Sequence, residues 1–248
     1  MWNGKISNPD TTIHMAQYYM HRLFTFFDQL RSNNNRPWFA EHKAEYQDLR
    51  NAWLSDINTM MTAMSQWEPW LAHQTARQCA YRIYRDTRFS PDKTPFKLNF
   101  SAAFAPSGKS DPHAAYYIET GLRPNGSGLY GGVYCPEPAT LKKLRHAIVD
   151  NIEEFEQIIH NPELEKEFPG WIGQRLKTIP KGWEKGHPQT ALLQLKEYGK
   201  AHFCDKQYFL DPAWPQRSAH LFSLLKPLID FLNYSIDCLL YTSDAADE

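Results

Sequence analysis

Residues 82–104 read RIYRDTRFSPDKTPFKLNFSAAF. Arg82–Phe89 and Phe96–Phe104 each alternate in side-chain character, the period of extended chain. The SPDKTP between them has turn chemistry. Ala115–Leu122 (AYYIETGL) and Leu129–Cys135 (LYGGVYC) read as an antiparallel pair joined by RPNGSG, and Pro136-Glu137-Pro138 stops the second strand. The centre of the chain is therefore expected to be an antiparallel sheet.

On either side the period lengthens to that of a helix. In residues 20–31, Leu23, Phe26, Phe27 and Leu30 share one helical face. SNNNRP (32–37) breaks that helix, and a second is expected from Trp38 to about Met64, closing a helical hairpin. After the sheet, a helix is expected over Ala139–Ile159 with Leu141, Leu144, Ile148, Ile152 and Phe155 inward. A short helix near Glu163–Phe168, another over Pro188–Leu195 and a strand around Ala201–Asp205 follow. The last helix buries Leu221, Leu224, Leu225, Leu228, Ile229 and Leu232, with Pro227 as a kink point. The fold class is α+β: a central antiparallel sheet flanked by an N-terminal helical hairpin and C-terminal helices.

One domain is expected over residues 21–237. Residues 1–20 are poorly patterned, and a start at Met15 or Met20 is one reading of them. Residues 238–248 (CLLYTSDAADE) read as translated sequencing-adapter sequence, not native chain.

The composition excludes several classes. Of 248 residues, 42% are hydrophobic and the formal net charge is −1, so a packed core is expected and a general nucleic-acid coat is not. Cys79, Cys135, Cys204 and Cys238 are far apart, as expected of reduced, buried thiols. No run approaches a membrane span, and the first residues lack a signal-peptide layout, so the cytoplasm is the expected compartment. The ten histidines form no H-x-H or H-x₃-H pair, and no metal or cofactor is expected. No G-x-S-x-G, H-E-x-x-H or P-loop is present.

The strongest chemical signal is the basic block. From Arg77 to Lys97 there are six basic residues (Arg77, Arg82, Arg85, Arg88, Lys93, Lys97) and two acidic ones (Asp86, Asp92). Alternation places Arg82, Tyr84, Asp86 and Arg88 on one face. Arginine forks suit phosphate or carboxylate, so this face is a candidate anion site. The same pattern fits an internal network in which Arg82 and Arg88 bracket Asp86 and Lys93 pairs with Asp92.

Two other motifs carry weaker signals. Gly126–Gly131 spells G-x-G-x-x-G, but an extended run follows it where a dinucleotide fold needs a helix, so it reads as a hairpin turn. Gly131 and Gly132 allow a ligand or another backbone to come close. The loop PKGWEKGHP (180–188) holds Lys181, Glu184 and His187, either an acid–base pair or a helix-start turn.

The block RIYRDTRFSPDKTPFK resembles the R-I-x-R-D-x-R-F-S-x-D-K-(T/S)-P-(Y/F)-K block of the bacterial and fungal family of conserved uncharacterised proteins called domain of unknown function 2461. Arg82, Arg85, Asp86, Arg88, Phe89, Asp92, Lys93, Pro95 and Lys97 stand in its places. SNNNRPWFAEHKAEY, GLYGGVYCPEPATLKKLRHAI, PKGWEKGHPQTALLQLK and PLIDFLN resemble further family segments, over about Leu23–Asn233. The resemblance implies a fold and a set of positions, and no activity.

Three functions are carried forward. In the first, the arginine strand, the glycine hairpin and the Lys181–His187 loop converge on a pocket for an anionic small molecule. In the second, a hydrolase or transferase uses Asp86 or Glu184 with His187. In the third, the block is scaffold in a structural or interaction protein.

Overall fold

A computed structural model describes residues 18–122 and 126–238. Most of the segment 1–20, all of 239–248 and the hairpin tip 123–125 lie outside the described residues, as do the readings made of them.

The chain opens with α1 (Tyr19–Ser32), α2 (Arg36–Glu41) and α3 (Lys43–Met64). A 3₁₀ turn (Pro69–His73) and α4 (Ala76–Cys79) lead toward the sheet. The strands β1 (Asn99–Phe104), β2 (Ala115–Gly121) and β3 (Gly128–Val133) follow. Then come α5 (Pro138–Asp150), α6 (Ile152–Ile159), α7 (Pro162–Glu167), α8 (Thr190–Leu193), β4 (Tyr198–Phe203), α9 (Lys206–Leu210) and α10 (Trp214–Cys238). The sheet order is β1-β2-β3-β4, antiparallel throughout. The α+β class and its flanking helices are as expected.

One face of the sheet makes the core. Phe100, Phe104, Tyr116, Ile118, Leu129, Val133 and Tyr198 lie on it and are essentially buried. Phe27 and Trp53 meet Phe100 at ring separations of 5.2 and 5.5 Å, and Phe222 of α10 meets Tyr116 at 5.4 Å. Trp53 Nε1 donates to Thr120 Oγ1 at 3.2 Å, so the hairpin of α1 and α3 is pinned to the sheet by a buried hydrogen bond as well as by apolar area.

The Gly131–Gly132 pair explains how tightly these layers approach. A Cβ on Gly131 would stand 2.6 Å from Leu225 Cδ1, so its absence lets α10 lie close on β3. A Cβ on Gly132 would meet the Tyr198 carbonyl oxygen of β4 at 2.0 Å. The close neighbours seen here are a helix and a strand.

Several boundaries differ from expectation. The helix expected over Trp38–Met64 breaks at His42, and the one over Ala139–Ile159 breaks at Asn151, whose side-chain amide donates to Ala147 O at 2.9 Å. A side chain that satisfies the helix's own carbonyl ends it. Arg82–Phe89 is not a strand: it is an irregular ribbon held by the isolated bridges Ala80↔Ala102 and Tyr84↔Phe96. Cys79 is buried, but Cys135 is exposed, against the reading of buried thiols. Among the described residues no helix is long and apolar enough to cross a membrane.

The end of α10 is clasped by a histidine. His113 Nδ1 lies 2.5 Å from Asp111 Oδ1 and Nε2 lies 2.8 Å from Asp237 Oδ1. Burial works against a charged ring, but the hydrogen bonds to Asp237 and Asp111 outweigh it and raise the His113 pKa. A raised folded-state value means the clasp stabilises fully below the unfolded value of about 6.5 and is lost as pH rises through the folded one. Amide exchange in the last turn of α10, corrected for intrinsic rate, is expected to speed up between pH 6 and pH 9. In His113→Gln that pH dependence should vanish; an unchanged profile in the variant would remove the clasp.

Candidate functional site

The arginine ribbon hangs from the outer edge of β1. Tyr81 N donates to Ser101 O at 2.9 Å, Lys97 N to Ile83 O at 2.8 Å and Arg85 N to Pro95 O at 2.9 Å. The SNNN break anchors it from the helical side. Asn34 Nδ2 donates to Phe96 O at 3.0 Å, and Phe96 N donates to Asn34 Oδ1 at 3.1 Å, so a side-chain amide completes the ladder as a backbone would. Phe96 stacks on Phe39 of α2 at 4.0 Å. The alternation survives without a regular strand: Ile83 is buried, while Arg82, Tyr84, Asp86 and Arg88 are exposed.

Two of the three arginines are held by the protein's own carboxylates. Arg88 grips Asp86 with both prongs, Nε to Oδ1 at 3.0 Å and Nη2 to Oδ2 at 2.6 Å. Arg85 donates to Asp92 and to the Thr94 hydroxyl. Hydrogen bonds from the Arg88 side chain and backbone hold the Asp86 carboxyl down at about 2, and those from Thr94 and Arg85 do the same for Asp92. Both carboxylates are therefore ionised at any pH near neutrality. Lys93 donates to Thr87 O at 2.9 Å and does not pair with Asp92. Arg82 is exposed; no side-chain hydrogen bond is seen for it among the described residues, and its charge adds to that of Arg88 in holding the Asp86 carboxyl down.

The other sequence-identified residues do not join this ribbon. The segment carrying Lys181, Glu184 and His187 belongs to the opposite edge of the sheet, where Ile172 N donates to Gly199 O of β4 and Arg175 bridges Leu195. Three inter-strand spacings, roughly 14 Å, separate the two edges. His187 is a turn residue at the start of α8. Its Nδ1 accepts from Gln189 N at 3.1 Å and its carbonyl accepts from Thr190 N at 3.0 Å, while Trp183 packs between it and His146. Lys181 and Glu184 are exposed. Gly131 and Gly132 serve packing, as above. The convergent pocket expected from sequence is not formed by these residues. A cleft of about 610 Å³ between α5–α6 and α10 lies elsewhere and is rimmed by Asp150, Glu154 and Asp230, a poor setting for an anion.

The sequence reading missed the second face of the sheet. The strand registers place Ser101, Tyr117, Glu119, Tyr130, Ala201 and Phe203 on the side away from the helical core. Four rings form a row across it. Tyr81 lies 6.2 Å from Tyr117, Tyr117 5.6 Å from Tyr130, and Tyr130 5.9 Å from Phe203. Lys97 Nζ and Lys109 Nζ stand 5.3 and 5.7 Å from the Tyr81 ring centre. The signal was present in AYYIETGL, whose second face carries Tyr117 and Glu119 where a solvated face would carry small polar residues.

No curated protein and no solved structure matches the chain. A family model described as conserved hypothetical protein (DUF2461) matches residues 22–231, the span from α1 through most of α10, and the chain belongs to that family.

Proposed function

We propose that the protein is a binding module for an anionic or phosphorylated small molecule, with Arg82 as the first contact. The observation that supports this is the division of labour in the ribbon. Arg85 and Arg88 are fixed by Asp92 and Asp86, which sets the backbone, and Arg82 presents its planar fork to solvent. A hydrolase or transferase reading needs His187 beside a carboxylate in the same cleft, and His187 instead accepts a backbone N–H at the far edge of the sheet.

Thermal shift with inorganic pyrophosphate tests the proposal, because a ligand of the native state raises the melting temperature by mass action. The native chain is expected to shift upward at millimolar pyrophosphate. Arg82→Ala, an exposed change, should melt within about 2 °C of the native chain without ligand and lose the shift. An identical shift in both proteins would remove Arg82 from the site. Silence toward pyrophosphate and phosphate in the native chain would favour an interaction protein, for which Phe89, 92% exposed at the ribbon tip, offers a contact.

A further inference from the structure

We propose that the tip of the arginine ribbon seats in the acidic cleft of a second copy of the chain, so that copies add head to tail. The ribbon hangs from the edge of β1 and the cleft lies between α5–α6 and α10, so knob and hole are separate patches. A contact between two different patches is heterologous and builds rings or filaments instead of stopping at two copies. Three observations carry the inference.

The first is the knob. Phe89 is 92% exposed, in the turn at the end of the ribbon. The ring contact seen for it among the described residues is with its own neighbour, Arg88, whose guanidinium carbon stands 5.7 Å from the ring centre. The tip is braced from within. Lys93 Nζ donates to Thr87 O at 2.9 Å, and Arg85 reaches back to Asp92 and Thr94. A braced turn loses little freedom on docking, and aromatic residues and arginine are what interface cores are enriched in.

The second is the hole. The cleft holds about 610 Å³, within the roughly 300–1,000 Å³ that receives whole ligands. Ala147, Ile158 and Phe231 give it apolar walls, which suit a ring.

The third is charge. Asp150 and Glu154 stand exposed on one wall, and no side-chain hydrogen bond or salt bridge is seen for either among the described residues. Asp230, on the α10 wall, is occupied by Lys226 at 3.0 Å. Asp150 stands in the last turn of α5, where the negative end of the helix disfavours an acid and no basic residue offsets it. The ribbon brings what this wall lacks. From Arg82 to Lys93 it carries four cations against two carboxylates. Arg88 engages Asp86 through Nε and Nη2, which leaves Nη1 for a carboxylate of the second copy, and its side chain is 77% exposed. Lys93 likewise has N–H donors beyond the one on Thr87 O. Arg82 stays at the base of the ribbon, next to the Tyr81 N–H bonded to Ser101 O, so the anion reading stands or falls separately.

Sedimentation velocity of the full chain tests the contact. The native chain is expected to grow past the dimer as its concentration rises from about 1 µM to 1 mM, and to revert toward monomer at about 1 M salt, where charges are screened within about 3 Å. Phe89→Ala, at an exposed position, and Asp150→Lys with Glu154→Lys should each weaken association about tenfold or more. A lysine suits the end of α5 and opposes the start of α6, so the two helix-end effects offset. Both variants should therefore melt within about 2 °C of the native chain. The decisive sample is an equimolar mixture of the two. One variant keeps a cleft and the other keeps a tip, so the mixture should regain the native affinity and stop at a dimer. Asp150→Asn with Glu154→Gln keeps both side chains the same size and should remove most of the salt dependence. A native chain that stays monomeric throughout the range overturns the proposal. So does association that Phe89→Ala leaves intact, or a salt response unchanged in the amide variant. Loss in both single-sided variants with no recovery on mixing overturns it as well, because tip and cleft then do not meet each other.

Discussion

Gly132→Ala is expected to cost about 4 kcal/mol, enough to lower the melting temperature of a chain this size by roughly 10 °C or more. Two causes act together. The φ of Gly132 is +131°, in the range that side chains rarely adopt. The added Cβ would also press on Tyr198 O at 2.0 Å and Gly199 Cα at 2.8 Å, both backbone atoms of β4. A side chain can rotate away from a clash; a paired strand cannot. Relief therefore requires β3 and β4 to part at Gly132↔Gly199, the fifth of their six ladder pairs. Gly131→Ala meets only side-chain atoms, of Leu225 at 2.6 Å and Ile229 at 3.4 Å, so it is expected to cost about 2 kcal/mol less, through a shift of α10. Urea unfolding of the two variants checks the order. Equal losses would mean that the backbone conflict at Gly132 is not what holds the position.

The helices and the sheet were legible because burial imposes periods. Leu23, Phe26, Phe27 and Leu30 read as one face and are all buried in α1. AYYIETGL read as a strand and is β2 almost residue for residue. The arginine ribbon shows why alternation alone is insufficient. Its exposure does alternate, yet Pro91 and Pro95 carry no N–H, and Asp86 and Asp92 take the backbone N–H of Arg88 and Thr94 for themselves, at 3.2 and 2.9 Å. A ladder short of donors becomes a ribbon of isolated bridges.

What joins the ribbon to the fold was beyond reach of pattern. Asn34 serves Phe96 across 62 positions of sequence, and no local signal marks an asparagine for that role. The same limit applies to the candidate site. The arginines were conspicuous as a composition, but which of them is engaged depends on where Asp86, Asp92 and Thr94 stand. The aromatic row is assembled from four separate segments, and only the β1–β4 registers show that Tyr117, Tyr130 and Phe203 share a face.

The second large effect is expected at Glu68, where an acidic residue is buried under the sheet's core face. It is 6% exposed and lies beyond the end of α3, immediately before the 3₁₀ turn. Its carboxylate accepts from Tyr116 Oη at 2.8 Å, from Trp70 Nε1 at 2.8 Å and from Lys226 Nζ at 3.4 Å. Burial and the neighbouring Glu68 charge together push the Tyr116 hydroxyl far above its ordinary pKa, so it remains a donor at every working pH. Glu68→Ala strands that hydroxyl in the core and removes one of the two carboxylates beside Lys226, the other being Asp230. Removing one partner from such a buried set costs about 3–5 kcal/mol, more than the set itself contributes, because the remaining groups stay desolvated. Glu68→Gln keeps an acceptor for Tyr116 and should cost about 1–2 kcal/mol. The decisive variant is Glu68→Ala with Tyr116→Phe. With the stranded hydroxyl gone, the double change is expected to be less destabilising than the sum of the single changes by about 1–2 kcal/mol, measured by urea unfolding at pH 7. Strict additivity would mean that Glu68 acts by filling space, and that the link between α3, β2 and α10 is apolar packing alone.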